Sequence, residues 1–123
     1  MLFRSSGPTG IACVRQAVQE FTAGKDMHVE LLTADFQERA DVGANIARQW
    51  FDRDGVDVIV DLTNSAVSLA VAGVAREKNK VALVTGAAVS ALTGKQCSPN
   101  TVHWTYDTWM LARSEERRVG KEC

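Results

Sequence analysis

The sequence predicts an α/β fold with a doubly wound parallel sheet. Two observations indicate it: helical and strand patterns alternate along most of the chain, and the strand patterns are short, largely apolar runs rich in β-branched residues. Alternation of this kind implies parallel strands joined by right-handed helical crossovers. Apolar runs without strict alternation are typical of strands covered on both faces. The 123 residues allow one domain with a real core.

The first half of the chain predicts two helices and one strand. The first helix follows a Gly-Pro turn and has apolar residues at helical spacing before a glycine stop: Ile11, Val14, Val18, Phe21 and Gly24. Residues 27–33 (MHVELLT) predict a strand. The second helix has an acidic residue in its first turn, an apolar face that we expect in the core, and a glycine stop: Asp41, Val42, Ile46, Ala47, Trp50, Phe51 and Gly55.

The second half continues the alternation. Residues 57–62 predict the central buried strand, and an Ala- and Val-rich helix follows over 65–78. Residues 81–85 and 101–105 predict two further strands, and the last helix begins near Tyr106. A flavodoxin-like sheet has the strand order 2-1-3-4-5, so its first strand is central. Because only Leu2 and Phe3 precede the first turn, we expect this strand to be incomplete and the fold to be truncated.

Small polar residues follow the central strand at the point where α/β proteins bind ligands. Thr63, Asn64 and Ser65 come after its carboxyl end and open the next helix. The same residue types are common helix N-caps, so a purely structural role is the alternative. Gly86–Ser90 follow the next strand, and their small side chains either leave room for a ligand or allow tight packing.

Composition and motifs exclude several classes of function. The net charge of −1 provides no attraction to nucleic acid, and no apolar run approaches the roughly 18 residues of a membrane span. The amino end lacks the apolar centre of a signal peptide. Three cysteines at unrelated spacings predict neither a zinc site nor another metal site, and we expect Cys13 to be a buried thiol. Without a GxGxxG or P-loop motif, or a partnered nucleophile, we predict no enzyme activity and no cofactor.

The end of the chain changes in composition. Residues 113–123 are dense in charge after an apolar helical start. We therefore predict a folded lobe over 1–112 and a non-native charged tail over 113–123. A solvated terminal helix with alternating charges is the alternative.

Several ordered segments carry a resemblance to a known family. They are Gly7-Pro8, Ala17–Phe21, Ala40–Phe51, Asn64–Val67, Ala75–Lys80 and Cys97–Thr108. Together these segments resemble the first lobe of periplasmic solute-binding proteins of ABC transporters, in the branched-chain amino-acid (leucine-binding-like, type I) family. The resemblance runs from about Gly7 to Ala112, which identifies the chain as a fragment of such a protein.

The resemblance implies a two-lobe clamp that captures an amino acid or related small solute and presents it to an ABC permease, with the parent protein in the periplasm. It implies ligand contacts from the loops after the third and fourth strands and from aromatic residues after the fifth: Asn64, Ser65, Ala66, Gly86, Ala87, Ala88, Val89, Trp104 and Tyr106. Val89 departs from the hydroxyl residue that the family often has near this position, and Ser90 is the candidate replacement. We expect the isolated chain, with one face of the site, to show no measurable affinity for amino acids. A ligand-sensing regulatory domain of the same fold and a nucleotide-binding enzyme domain are the alternative functions.

Overall fold

A computed structural model describes residues 2–4 and 8–119, with side chains described over 8–113. The elements, in chain order, are β1 (Leu2–Arg4), α1 (Pro8–Thr22), β2 (Thr33–Asp35), α2 (Ala40–Asp52), β3 (Val58–Ile59), α3 (Ser65–Lys78), β4 (Val81–Val84), a 3-10 turn (Ser90–Leu92), β5 (Thr101–His103) and α4 (Thr108–Val119). The strand pairings in this part of the chain are parallel, and they form a two-stranded sheet, β1-β2, and a three-stranded sheet, β3-β4-β5. The predicted α/β class with parallel strands is confirmed.

Helix α3 has the bounds that its sequence predicts. The Asn64 side chain accepts a hydrogen bond from the Val67 amide at 3.1 Å, which caps the first turn. At the other end Asn79 adopts the left-handed conformation with φ of 52°, and its amide donates to the carbonyls of Ala75 and Arg76. Both ends of the helix are therefore determined by asparagine residues that the chain supplies locally.

The core lies on one side of the three-stranded sheet. Helices α2 and α3 pack against each other, and α3 also packs on β4 and β5. The buried apolar residues are Phe36, Ala47, Trp50, Phe51, Val56, Ile59, Leu62, Val67, Val71, Ala72, Val74, Ala75, Ala82, Val84, Ala87 and Leu92. Of the apolar face predicted on α2, Ala47, Trp50 and Phe51 are buried as predicted, whereas Val42 and Ile46 are half-buried.

The other face of this sheet is largely uncovered within the described residues. Val58 and Val81 are each 38% exposed and Val102 is 44% exposed, whereas Ala82 and Val84 on β4 are fully buried. The expectation that the central strand is covered on both faces holds only in part, because Val60 lies half-buried opposite α1 while Val58 is exposed. The regular part of β3 is also shorter than predicted, because Asp61 turns the chain with φ of 62°.

Helix α1 contributes little to the core. None of its residues is buried, Phe21 at its end is 60% exposed, and Val14 is half-buried. Cys13 is exposed, so the prediction of a buried thiol is wrong. The helix itself, followed by Gly24 with φ of 72°, agrees with the sequence pattern.

The second strand is displaced from its predicted position. Residues 27–32 have no regular structure, and β2 begins only at Thr33. The parallel register pairs Thr33, Ala34 and Asp35 with Leu2, Phe3 and Arg4. A strand needs a neighbour that satisfies its backbone groups, and the three residues of β1 provide one for three residues only.

Helix α4 extends past the predicted boundary of the lobe at residue 112 and ends at Val119. The division into a lobe over 1–112 and a non-native tail over 113–123 stays a prediction, as does the solvated-helix alternative. The helices in the described part of the chain are all too short or too polar to cross a membrane.

Candidate functional site

The loops that follow β3 and β4 are joined at the carboxyl edge of the sheet. The Leu62 carbonyl oxygen accepts hydrogen bonds from the amides of Gly86, at 3.3 Å, and Ala87, at 3.2 Å. Because one carbonyl of the first loop receives two donors from the second, the two predicted ligand-contacting loops form one unit.

Gly86 is required by the approach of Thr63. A Cβ atom on residue 86 would lie 2.6 Å from Thr63 Cγ2 and 2.9 Å from Thr63 Cβ. The small side chain therefore serves tight packing between the loops, which was one of the two roles left open by the sequence.

The loop after β4 is also fixed to the end of β5 and the start of α4. The Ala87 carbonyl accepts a hydrogen bond from His103 Nε2 at 2.6 Å, and the Ala88 carbonyl accepts one from the Thr108 amide at 2.8 Å. The Thr108 hydroxyl donates to Ser90 Oγ at 3.3 Å. Ala87 is fully buried, so its side chain supports the loop from within, and its place among the predicted ligand contacts remains a prediction.

The start of α3 presents backbone donors beside this unit. Ser65 and Ala66 are exposed and occupy the first turn, after the Asn64 cap. The cap accepts from the Val67 amide, and the Asn64 carbonyl accepts from the amide of Ser68 at 2.8 Å. The amides of Ser65 and Ala66 come before these and have no acceptor within an α-helix. Together with the helix dipole, such donors favour an anionic group.

Glu38 belongs to the same edge, although the sequence analysis did not select it. Asn64 Nδ2 donates to Glu38 Oε2 at 2.7 Å, which joins the loop after β2 to the cap of α3. Gln37 and Glu38 both have positive φ, 54° and 57°. The Asp35 side chain accepts from the Gln37 amide at 2.9 Å, and this bond stabilises the turn. The signal available in the sequence was an acidic residue five positions after the predicted strand end at Thr33, which is weak by itself.

Asp61 is a half-buried carboxyl at this edge. Burial raises the pKa of its carboxyl above the ordinary value of 3.8, and a hydrogen bond from the Thr85 hydroxyl opposes the change. Its Oδ2 atom is buried without a hydrogen-bond partner. A cavity of about 500 Å³ lies between these two residues and the start of α1, where Cys13 and Val14 form the opposite wall.

The two aromatic residues predicted to contact a ligand are accessible. Trp104 is 75% exposed and Tyr106 is 51% exposed, and both follow β5 at the same edge of the sheet. The Trp104 amide donates to the Val84 carbonyl at 2.8 Å, which fixes the backbone but leaves the indole free to contact a ligand. Over the described residues, His, Cys, Asp and Glu side chains do not form a group of three or more that would hold a metal ion.

The family model for periplasmic binding proteins matches residues 2–119. The chain belongs to the periplasmic binding protein family. The resemblance stated from the sequence is thereby confirmed. A comparison with proteins of curated function gives no match.

Solved structures of periplasmic binding proteins are similar to the chain over nearly all of its length. A periplasmic binding protein from Burkholderia mallei is 39% identical with a TM-score of 0.90, and the alignment covers 98% of this chain and 34% of that one. A branched-chain amino acid ABC transporter periplasmic ligand-binding protein from Burkholderia xenovorans is 33% identical, with a TM-score of 0.77 and coverage of 94% and 35%. A solute-binding protein from R. palustris, solved with benzoate, is 19% identical with a TM-score of 0.78 and coverage of 92% and 33%, and shows the fold alone.

The chain spans about a third of the length of these structures. By these matches the chain corresponds to part of the length of type I periplasmic binding proteins. They do not address which residues contact a ligand. The positions in the loops after β3, β4 and β5 therefore remain proposed contacts.

Proposed function

We propose that the whole protein to which this chain belongs captures a small organic carboxylate, an amino acid or a related compound, in the periplasm and delivers it to an ABC permease. In this proposal the described chain supplies one wall of the binding site. Closure of a second lobe over that wall removes the ligand from water. The observation that carries the proposal is the exposed start of α3 at the carboxyl edge of the sheet.

The start of α3 suits a carboxylate for a physical reason. The amides of Ser65 and Ala66 lie at the positive end of a 14-residue helix and in exposed positions. Hydrogen bonds to a charged acceptor contribute roughly 1.5–3 kcal/mol each. Two such donors on a preformed turn give a carboxylate an orientation as well as an affinity.

The printed descriptions of two relatives support the ligand class. One is a branched-chain amino acid ligand-binding protein and another was solved with benzoate. Branched-chain amino acids and benzoate differ in size, shape and charge, but each has a carboxylate. We therefore assign the carboxylate to the start of α3, and the rest of the ligand to the side of Trp104, Tyr106 and the second lobe.

A chimera tests the proposal with a complete clamp. Residues 2–112 replace the matching part of the B. mallei protein, whose backbone is most similar among those described above. Calorimetry then compares isoleucine and benzoate with isoleucinamide and benzamide, which have no carboxylate. We expect at least one carboxylate to bind and its amide to bind roughly tenfold or more weakly, since each lost charged hydrogen bond costs about 1.5–3 kcal/mol.

Two substitutions at one residue separate the backbone from the side chain. Ser65→Pro removes the amide, and the first helical position tolerates proline because Asn64 before it is already extended, with φ of −85° and ψ of 128°. Ser65→Ala keeps the amide and removes the hydroxyl. We expect the proline variant to lose roughly tenfold in carboxylate affinity while its melting temperature stays near that of the alanine variant.

The outcome that contradicts the proposal is a folded chimera that binds neither carboxylates nor amides. Stabilisation by a nucleotide alone would instead favour the nucleotide-binding alternative. Equal affinity for each carboxylate and its amide would show that the ligand's carboxylate does not contact the start of α3, and the proposed role of Ser65 and Ala66 would be wrong.

A further inference from the structure

A second pocket lies between the side of α3 and the loop that follows the 3-10 turn. Its volume is about 260 Å³. The loop contributes Lys95, Gln96 and Ser98, and the helix contributes Gly73 and Arg76 beside two apolar side chains. The pocket therefore has an apolar floor on the helix and polar or charged side chains around it.

Arg76 and Lys95 give this pocket a positive charge. Lys78, two residues after Arg76, forms an ion pair with Asp52 at 2.9 Å. Across the described part of the chain, neither Arg76 nor Lys95 forms an ion pair, and the described walls of the pocket contain no Asp or Glu side chain. The two cations therefore share one pocket and have no counterion there.

Neutral hydrogen-bond donors accompany the two charges. Ser98 Oγ accepts a hydrogen bond from the Asn100 amide at 3.2 Å, which orients the side chain while its hydroxyl proton can still be donated to a ligand. The Gln96 side chain is exposed and adds an N–H donor. The Gln96 amide itself donates to the Ala91 carbonyl at 2.9 Å, so the loop is already closed on its own backbone.

Gly73 keeps the helix side of the pocket open. Glycine is less favourable than alanine inside a helix. Nothing lies within 4 Å of a Cβ atom built on Gly73, so close packing does not require a glycine at this position. The space above Gly73 belongs to the pocket, and a ligand can approach the helix there without a side chain in between.

We propose that this pocket binds a dianionic phosphate group, carried by free phosphate, by a soluble monoester or by a lipid headgroup. The Arg76 guanidinium donates two parallel hydrogen bonds, and the Lys95 ammonium supplies the second charge. The Ser98 hydroxyl and the Gln96 carboxamide donate to the remaining oxygens. Two positive charges match the charge of about −1.5 to −2 on a phosphomonoester at neutral pH, whereas a carboxylate carries a single charge.

This site is separate from the carboxylate site proposed at the start of α3. Arg76 is eleven residues after Ser65 on the same helix, which is roughly 16 Å along the helix axis. Binding at one site can therefore be measured with the other empty. Failure of the phosphate proposal leaves the proposed transport function untouched, and the reverse also holds.

Titration of the 123-residue chain with inorganic phosphate tests the proposal. Amide chemical shifts of residues 73, 76 and 95–98 are followed by NMR at neutral pH and constant ionic strength. We expect these shifts to saturate with phosphate. Acetate is expected to bind roughly tenfold or more weakly, because it carries a single charge and offers fewer oxygens to the donors.

Three variants and one control test the role of each part. Arg76→Gln and Lys95→Gln are each expected to weaken phosphate binding roughly tenfold, because each loses charged hydrogen bonds. Gly73→Leu fills the pocket without a change of charge and should weaken binding by a similar factor. Arg48→Gln is the control, since it removes an exposed cation of α2 that does not line the pocket. We expect its affinity to stay within about twofold of the parent chain, and circular dichroism verifies that each variant is folded.

Vesicles identify the source of the phosphate group. Phosphatidylcholine vesicles with and without phosphatidic acid, a lipid phosphomonoester, are sedimented with the parent chain and with Arg76→Gln. Co-sedimentation that requires both phosphatidic acid and Arg76 would assign a lipid headgroup. Binding of inorganic phosphate without co-sedimentation would assign a soluble phosphate.

Three results would overturn the proposal. One is the absence of both saturating shifts and co-sedimentation. Another is acetate binding as tight as phosphate binding. The third is an equal loss of affinity in Arg76→Gln and Arg48→Gln, which would show that phosphate responds only to the overall charge of the chain.

Discussion

Thr63 and Gly86 are in contact where two neighbouring parallel strands end, and a Cβ atom on residue 86 would lie 2.6 Å from Thr63 Cγ2. Rotation of the threonine side chain does not relieve this overlap, because Thr63 Cβ and Cα would still be at 2.9 and 3.1 Å. The glycine therefore allows the two loops to come close enough for the hydrogen bonds from the amides of Gly86 and Ala87 to the Leu62 carbonyl.

Replacement of Gly86 by alanine is expected to destabilise the chain by about 1–3 kcal/mol, the usual cost of overpacking. Urea unfolding followed by circular dichroism measures the change. Gly73→Ala is the matched control, since nothing lies within 4 Å of a Cβ atom at this helical position. The control is expected to stabilise by about 0.5–1 kcal/mol. Similar effects of the two alanines would contradict the proposed role of the Thr63 contact.

The pair of Asn64 and Glu38 is expected to show energetic coupling. Asn64→Ala removes the cap of α3 and should cost about 1 kcal/mol. Asn64→Asp keeps an acceptor for the Val67 amide but places a carboxylate against the Glu38 carboxylate, whereas Glu38→Gln restores a donor. We expect the double variant that combines Asn64→Asp with Glu38→Gln to be more stable, by about 0.5–1 kcal/mol in the free energy of unfolding, than the sum of these two single changes predicts. Additive effects in this unfolding cycle would show that the 2.7 Å bond does not couple the loops.

The raised pKa of Asp61 predicts a dependence of stability on pH. Burial raises the pKa in the folded chain, so the folded state binds more protons than the unfolded state at pH values above the ordinary pKa of 3.8. The stability contribution of this group therefore falls as pH rises from the unfolded toward the folded pKa. Asp61→Asn removes the charge and retains a residue that tolerates a φ of 62°.

We expect Asp61→Asn to unfold at a higher temperature than the parent chain at neutral pH, with the difference shrinking as the pH approaches 3.8. Asp54→Asn, at an exposed carboxyl, is the control. If the difference in unfolding temperature between the parent chain and Asp61→Asn does not depend on pH, ionisation of the Asp61 carboxyl is not its cause.

Because one face of the three-stranded sheet is largely uncovered, we predict that replacement of two valines of β4 by threonine changes the free energy of unfolding by different amounts. Val84 is fully buried and Val81 is 38% exposed. Val84→Thr places a hydroxyl in the core and is expected to cost about 1–3 kcal/mol. Val81→Thr is expected to change the free energy of unfolding by roughly 0.5 kcal/mol or less. Equal costs in urea unfolding would show that both faces of β4 are covered in solution.

Local signals allowed the sequence to predict α3 well. Asn64 at its start and an apolar run up to the charged residues 76–78 specify the helix without reference to distant parts of the chain. Tight packing was one of the two roles that the small residues after β4 left open, and the partner of Gly86 was not predictable. Contact with Thr63 depends on the pairing of β3 with β4, which a single sequence does not display.

The errors have a common physical origin in tertiary context. Residues 27–32 have the composition of a strand, but a strand forms only where a neighbour accepts its hydrogen bonds. Cys13 lies near an apolar helix face, yet that face lacks a full partner among the described elements. Glu38 was missed because its importance comes from Asn64, which is 26 positions later in the chain.

The distribution of buried residues along the chain has a consequence for local opening. The apolar residues buried in the described structure lie between Phe36 and Leu92, while α1 and the start of α4 are exposed. Segments with few buried contacts open with free energies far below that of global unfolding. A protease should therefore remove α1 and α4 first and leave a resistant fragment that contains residues 36–92 and β5, which pairs with β4.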